Sequence, residues 1–370
     1  MLLKKIHTLK IYIQYDLKIL GPPYRYSLAT LTKLDTTLVE IKSESGLTGF
    51  GEVCPLGNTY QPAHPEGARS ALKSIAPHLI GMNPVHIQLI NSKMDMLLSG
   101  HSYAKAAIDI ALWDLKGKKF GQSLSDLLGG ATVDHVPSYY AIGTDTPENV
   151  SRIVREKQEQ GYPRLQIKVG GRDVEEDIAV VHKAFEARNS GIKMVLDANR
   201  SLTVKDAIFL SNACQDLNFA LEQPCNSYAE IKSLKGKISH PIFIDESATS
   251  IQMVCKSIQD QVADGFGMKI TRVGGLSNTI TIRDICRNFE RPMTCEDTWG
   301  GDIMAAACVH MGATIAPKLL EGVWIPDNYI DGNYDDDEPV KAGSHIKVPV
   351  GPGLGINPDT TKWVHLVAFD

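Results

Sequence analysis

Leu221-Glu222-Gln223-Pro224 is a short apolar run that ends in an acid and then breaks at a proline. The same pattern stands about one supersecondary unit to either side of it. Met194–Ala198 carries Asp197 with Asn199 just beyond, and Ile242–Asp245 ends in Asp245-Glu246-Ser247. Working outward, eight apolar runs can be marked: Val136–Ile142, Leu165–Val169, Met194–Ala198, Phe219–Glu222, Ile242–Asp245, Gly267–Thr271, Met293–Glu296 and Thr314–Leu320. Amphipathic stretches separate them, two with helix-start signals at Thr146-Pro147-Glu148 and Thr203-Val204-Lys205-Asp206. Strands alternating with helices imply a parallel sheet, and eight such units imply a closed (β/α)8 TIM barrel, the α/β fold class expected here. A doubly wound open sheet would also alternate, but neither a Gly-x-Gly-x-x-Gly fingerprint nor a Walker A motif follows a strand.

Polar residues mark the strand ends at a regular interval. From Lys168 through Asp197, Glu222, Asp245, Lys269 and Asp297 to Glu321 the gaps are 29, 25, 23, 24, 28 and 24 residues, each about one strand–helix unit. Barrel strand ends converge on one mouth, where active sites are built. Three acids therefore stand side by side on strands three to five, with a lysine flanking them on each side. A lone acid at such a place reads as a helix cap or a loop ion pair. Three converging acids repel one another and are costly to desolvate without a cation. Their hard oxygens suit Mg²⁺ rather than zinc, which would call for His or Cys. Strand alternation points Gln166 and Lys168 into the barrel and leaves Leu165, Ile167 and Val169 to pack outward; Lys269 points inward between Met268 and Ile270. A desolvated lysine beside a divalent cation becomes a competent base. The plainer reading is that each lysine only balances a neighbouring carboxylate.

The first 130 residues differ in character. Ile6–Ile19, Tyr26–Lys42 and Leu47–Val53 read as a three-stranded antiparallel meander, with turns at Gly21-Pro22-Pro23 and Ser43–Gly46. Glu66–Leu79, Val85–Leu98 and Ser102–Phe120 read as helices, the last rich in small residues and so tightly packed. A domain boundary is expected near residue 130. Loops Leu20–Tyr26 and Cys54–His64 are expected to cover the mouth. His64 suits a substrate contact or loop packing better than catalysis. The charged run Tyr334–Pro339 reads as a solvated loop.

Composition sets the outer limits. The 370 residues carry a formal charge of −5, with 43% apolar and 22% charged residues. That balance gives no electrostatic footprint for nucleic acid or an anionic membrane, and no apolar stretch is long enough to span one. The seven cysteines form no C-x-x-C pair and read as free buried thiols. With no signal-peptide pattern at the start, a cytoplasmic setting is expected.

With these residues in place, the sequence resembles the enolase superfamily in its mandelate racemase/muconate lactonizing enzyme branch, over essentially the whole chain. The resemblance implies an α+β capping domain over 1–130, the barrel over 131–345, and a segment over 346–370 returning to the cap. It also implies Mg²⁺ held by Asp197, Glu222 and Asp245, and chemistry that begins by removing the proton α to a substrate carboxylate. Muconate-type members usually show Lys-x-Lys on the second strand; here it is Gln166-Ile167-Lys168, and Lys168 matches the base. The mandelate-type His-Asp pair is absent. Metal coordination stabilises the enediolate that proton loss creates. A lysine base working beside Mg²⁺ is one of the arrangements that enolase-type sites use. Lysines on opposite sides of the mouth face opposite sides of the α-carbon, the arrangement of a racemase or epimerase; loss of a β-hydroxyl from the same enediolate would make a dehydratase.

The stretches Gln166–Arg172, Leu221–Asn226, Asp264–Arg272 and Thr298–Asp302 resemble enzymes of proline derivatives, the 4-hydroxyproline betaine 2-epimerases and the cis-3-hydroxy-L-proline dehydratases. This implies 2-epimerisation of a proline-type betaine or amino acid, with dehydration as the alternative. A different cycloisomerase or a non-catalytic osmolyte binder is more remote. By position Tyr60 and Trp324 would hold a quaternary ammonium, with Asp297 as an anionic partner and Gln166 touching substrate, while Asn199 and Glu246 support the metal acids. Ordinary loop and core packing is the plainer reading of the two aromatics. Relatives commonly assemble, so a homo-oligomer is expected.

Overall fold

The computed structural model describes residues 5–14, 17–20, 24–26, 29–57, 59–335 and 340–370. Eight strands run in chain order around a barrel: Tyr139–Ile142, Arg164–Lys168, Lys193–Asp197, Ala220–Glu222, Ile242–Ile244, Gly265–Lys269, Met293–Glu296 and Leu320–Val323. Successive strands pair in parallel. A parallel bridge between Ser138 and Val323 brings the eighth strand up to the first. Leu165, Ile167 and Val169 are fully buried under the surrounding helices, whereas Gln166 and Lys168 bond to acids inside the barrel.

Two strand readings shift. Thr314–Leu320 is apolar because it fills core, not because it is extended. The preceding helix ends at Ala313, and Ala316 then accepts from both Leu319 N and Leu320 N (2.8 and 3.1 Å) in a turn carrying Pro317. The eighth strand starts at Leu320, so Glu321 is its second residue and pairs with Lys193 Nζ (3.0 Å) at the start of the third strand, away from the mouth. Val136–Ile142 breaks at Pro137: His135–Pro137 pairs antiparallel with His345–Lys347, and only Tyr139–Ile142 enters the barrel.

The N-terminal unit holds a four-stranded antiparallel sheet rather than a three-stranded meander. Its order is Val364–Phe369, Ile6–Gln14, Thr36–Ser43, Thr48–Val53, with the end of the chain supplying an edge strand. The parts of the two long runs nearest residue 20 leave this sheet. Lys18–Ile19 pairs with Ile330–Asp331, and Tyr24–Tyr26 forms a hairpin with Ala29–Leu31. Of these, Tyr26 joins the core shared with the barrel, and Ile19, Tyr24 and Leu31 pack against it. The expected turn at Gly21-Pro22-Pro23 lies outside the described residues. Helices Pro65–Ile75, Ile87–Leu97 and Ser102–Phe120 cover the sheet. The last comes so close that a methyl on Gly49 or Gly51 would stand 2.2 or 1.8 Å from the carbonyl oxygens of Ala111 or Ala107. Small residues on both sides allow that approach.

All seven cysteines are free, six of them buried. Among the described residues no helix is long and apolar enough to cross a membrane.

Candidate active site

Hydrogen-bond register places the key residues side by side. Asp197 is opposite Lys168 on one neighbour and opposite Glu222 on the other, and Lys269 is opposite Glu296. Each is the last residue of its strand, and Asp245 is one residue past the fifth. All are buried. The strand-end backbone is bent to serve them. Asn199, Arg200 and Gln223 adopt φ of 43°, 70° and 36°, a region that ordinary side chains disfavour and that clusters at functional sites. The bend lets Asn199 N donate to Asp197 Oδ1 (2.9 Å), and lets Gln223 Oε1 accept from Asp245 N (3.2 Å).

The electrostatics of the ring differ from place to place. Lys168 Nζ is hydrogen-bonded to Asp197 Oδ2. Burial alone would lower the Lys168 ammonium, but the Asp197 charge beside it holds its pKa above the usual lysine range. Lys269 Nζ reaches both oxygens of Asp245 (2.9 and 2.8 Å) and Glu296 Oε2 (3.3 Å), and these acids likewise outweigh burial and raise it. Burial would raise Asp245, but Lys269 and Arg272 hold it well below the ordinary carboxyl range. Arg272 Nη1 stands 2.5 Å from Asp245 Oδ1, and Tyr60 Oη donates to Asp245 Oδ2 at 2.7 Å. Gly267 shares the inward face with Lys269, and a methyl there would lie 3.1 Å from the Asp245 carboxyl.

Glu222 is the least compensated acid. Burial raises it, followed by the charges of Asp197, Asp245 and Glu296. Its Oε2 accepts from Gln166 Nε2 (3.0 Å) and lies 3.5 Å from Arg164, while its buried Oε1 has no hydrogen-bond partner among the described residues. Glu246 is pushed up to about 8, by burial first and then by Asp245 and Asp197. Its Oε1 accepts from Asn199 Nδ2 at 3.3 Å.

Among the described residues no three carboxylate, imidazole or thiol groups are gathered into a ready cation cage. The reason is local: Asp197 and Asp245 are each turned onto a cationic side chain. The donor chemistry nevertheless fits a hard divalent ion. Asp197, Glu222 and Asp245 stand on three adjacent strand ends, offer only oxygen, and include the unbonded buried oxygen of Glu222. These three are the residues that would hold Mg²⁺.

Tyr60 and Trp324 both line the cavity that Lys168 and Lys269 enter, as do Gln166, Asn199 and Asp297. Tyr60 is tied down: its hydroxyl serves Asp245 and its ring lies 5.7 Å from Lys269 Nζ. Asp297 is also committed, because Thr271 N and Oγ1 and Thr298 N all donate to it at 2.6–2.7 Å. It clamps two strand ends together. The acid that faces Lys269 from the seventh strand is Glu296, whose Oε2 also accepts from Tyr139 Oη at 2.7 Å.

Two other wall residues, Tyr139 and Trp299, carry no role in the sequence reading. Trp299 meets Trp324 edge-to-face with centroids 5.3 Å apart and Tyr24 at 5.5 Å. Arg272 was missed as well, though its place three residues past Lys269 is a barrel-mouth position. Both covering loops reach the wall, the first through Tyr24 and Tyr26 and the second through Leu56 and Tyr60; residues 21–23 and 58 lie outside the described residues. His64 does not reach it and instead caps the helix Pro65–Ile75 by accepting from Gly67 N at 3.1 Å. Tyr334 and Asp335, expected in a solvated loop, are buried, and the rest of that charged run, 336–339, lies outside the described residues.

Comparison with known proteins agrees with this architecture. Residues 9–129 match the mandelate racemase/muconate lactonizing enzyme N-terminal domain, and residues 149–362 match the enolase C-terminal domain-like family. A cis-3-hydroxy-L-proline dehydratase from Roseibium aggregatum is 37% identical over 355 residues, covering 96% of each chain. A hydrophobic dipeptide epimerase from Enterococcus faecalis is 32% identical over 293 residues, 77% of this chain and 79% of that one. A crystal structure of an enolase superfamily member from Roseovarius nubinhibens, complexed with magnesium, superposes with a TM-score of 0.94 at 30% identity, covering 99% of both chains. Two matched domains, a barrel with acids and lysines at one mouth, and relatives alike over the full length lead to one conclusion: the chain is an enzyme of the enolase superfamily, in its mandelate racemase/muconate lactonizing enzyme branch.

Proposed function

We propose that this chain removes the α-proton of a proline-type amino acid or betaine carboxylate and delivers a proton to the opposite face, inverting carbon 2, with Lys168 and Lys269 as the two acid–base groups and Asp197, Glu222 and Asp245 as Mg²⁺ ligands. One observation carries the reading: two buried lysines on strands two and six reach a single cavity from opposite sides of the acid ring. When bound, the ion supplies positive charge at the substrate carboxylate and so makes the α-carbon more acidic.

The chain's own residues do the rest. Asp197 keeps Lys168 charged, and Asp245 with Glu296 keeps Lys269 charged, so each lysine is a proton donor while its acids attend it. Withdrawal of that acid's charge turns the same lysine into a base. Trp324, Trp299 and Tyr24 line the cavity with aromatic rings, the kind of wall that attracts a quaternary ammonium. Arg272 and Tyr60 hold Asp245 in place.

A second reading, dehydration of a 3-hydroxyproline, is favoured by the 37% identity to the Roseibium enzyme. Proton NMR in D₂O with Mg²⁺ and a panel of proline derivatives separates the two. Epimerisation gives α-deuterium in both stereoisomers with no change of mass balance, whereas dehydration consumes the hydroxyproline. Absence of both α-exchange and hydroxyproline loss across the panel would sink both.

A further inference from the structure

Glu52 and Asp109, fully buried acids of the N-terminal unit that take no part in the proton chemistry, both reach across to the barrel. Each ends on the first turn of a barrel helix whose own cap is a bare glycine. The helix Asp302–Ala313 follows the seventh strand and is preceded by Gly301, which offers no side chain. Glu52 fills that role from across the molecule: Oε1 accepts from Gly301 N (2.8 Å) and Oε2 from Met304 N (3.0 Å). Thr36 Oγ1 (3.0 Å) and Tyr334 Oη (2.7 Å) complete the set. The helix Leu276–Asn288 follows the sixth strand and is preceded by Gly275 at φ +115°. Asp109 accepts there from Ser277 N (3.0 Å) and Ser277 Oγ (2.5 Å), and a methyl on Gly275 would stand 2.4 Å from its Oδ2.

A carboxylate suits a helix N-terminus because it satisfies free N–H groups and opposes the helix dipole. An acid normally comes from the residue next to the helix; here it comes from a separate unit. Burial pushes Glu52 up to about 7 despite its four donors, a desolvation cost that mere space-filling would avoid. The segment between the seventh strand and the capped helix carries Thr298 and Trp299, which form part of the cavity wall. Thr298 Oγ1 also donates to Cys54 O (2.7 Å), two residues beyond Glu52, so one strand end holds this segment at both ends.

We propose that Glu52 and Asp109 are helix caps lent by the N-terminal unit to the barrel, and that Glu52 is a positioning residue for the Trp299 wall of the substrate cavity. The link to substrate rests on the proposed proline-type chemistry of that cavity; the capping does not.

Hydrogen–deuterium exchange on the whole chain, read by mass spectrometry without substrate, tests it. In Glu52→Gln, peptides spanning 297–305 should exchange about tenfold faster, while those of barrel strands two to four keep their rates. Thr36→Val removes one of the four hydrogen bonds and should show the same pattern at smaller amplitude, and it decides the matter if Glu52→Gln does not fold. Uniform acceleration over both units, or no change at 297–305, overturns the capping. With a turned-over substrate in hand, Thr36→Val and Glu52→Gln should raise KM several-fold with kcat within about twofold. A fall in kcat that matches the rise in KM overturns the positioning role while leaving the capping standing.

Discussion

Lys168 and Lys269 enter one cavity, yet they stand in different company. On the strand-two side Lys168 is paired with Asp197, itself supported by Asn199. On the strand-six side Lys269 is shared between Asp245 and Glu296, and Arg272 competes for Asp245. The first arrangement is a pair that one competing cation can open. The second is a buried network of two acids and two cations, in which losing one member leaves others unpaired. Two reagents of the same kind have thus been given unequal freedom, and the two faces of the substrate should not be served equally.

The largest effect tests whether both lysines are reagents at all. Lys168→Ala and Lys269→Ala should each lower turnover by about a thousandfold or more, at the upper part of the range for a positioned acid–base group. Each variant should still exchange the α-proton of one stereoisomer in D₂O, and the two variants should prefer opposite ones. Epimerisation surviving in either would remove that lysine from the mechanism and leave a one-base enzyme.

The acids break the comparison differently. Asp245→Asn leaves Arg272 and Lys269 facing a neutral amide and should destabilise the metal-free protein by about 3 kcal/mol, the lower end for breaking a buried pair, since both cations keep other acceptors. Glu222→Gln relieves a carboxyl that its neighbours already disfavour, and its melting temperature in EDTA should stay level or rise. Both should abolish Mg²⁺ binding in calorimetry. A Glu222→Gln variant as unstable as Asp245→Asn would mean that Arg164 and Gln166 depend on its charge.

The pH response follows from the uncompensated side of the ring. The folded pKa of Glu246 is raised to about 8, above the ordinary glutamate value, so the folded state binds the extra proton. Its contribution to stability is therefore full below about pH 4.5 and is lost as pH climbs through about 8. Thermal melts in EDTA between pH 5 and 9 should fall with rising pH by more in the native chain than in Glu246→Gln. Equal slopes would place the titration elsewhere.

What could be read in the sequence was whatever obeys a period. Strand ends spaced by one strand–helix unit exposed Lys168, Asp197, Glu222, Asp245 and Lys269, and alternation set which residues point inward. Thr146 and Thr203 announced their helices because a cap acts over three residues. Long-range compensation was not legible. Nothing near Glu52 in the chain points to Gly301, and while the family resemblance returns the tail to the cap, nothing near Val364–Phe369 names Ile6–Gln14 as the strand it joins. Apolar content also misled where core is filled by turns, as at Thr314–Leu319, because burial without periodicity does not distinguish a strand from a turn.

The smallest effect separates the two aromatics expected to hold an ammonium group. Tyr60 belongs to the strand-six side, its hydroxyl on Asp245 and its ring beside Lys269, so it is already engaged. Trp324 lines the cavity and packs against the rings of Trp299 and Tyr329, with no acid or lysine of the ring bonded to it. A cation over an aromatic face gains about 0.5–2 kcal/mol, or roughly two- to thirtyfold in binding. Trp324→Ala should therefore raise KM for a betaine by that factor, raise it less for the secondary amine, and leave kcat nearly unchanged. Tyr60→Phe keeps the ring and removes the hydrogen bond to Asp245, so its cost should fall on kcat. If the two variants exchange these signatures, the substrate's cation sits on the side of Lys269, and the crowded network there is part of the binding site.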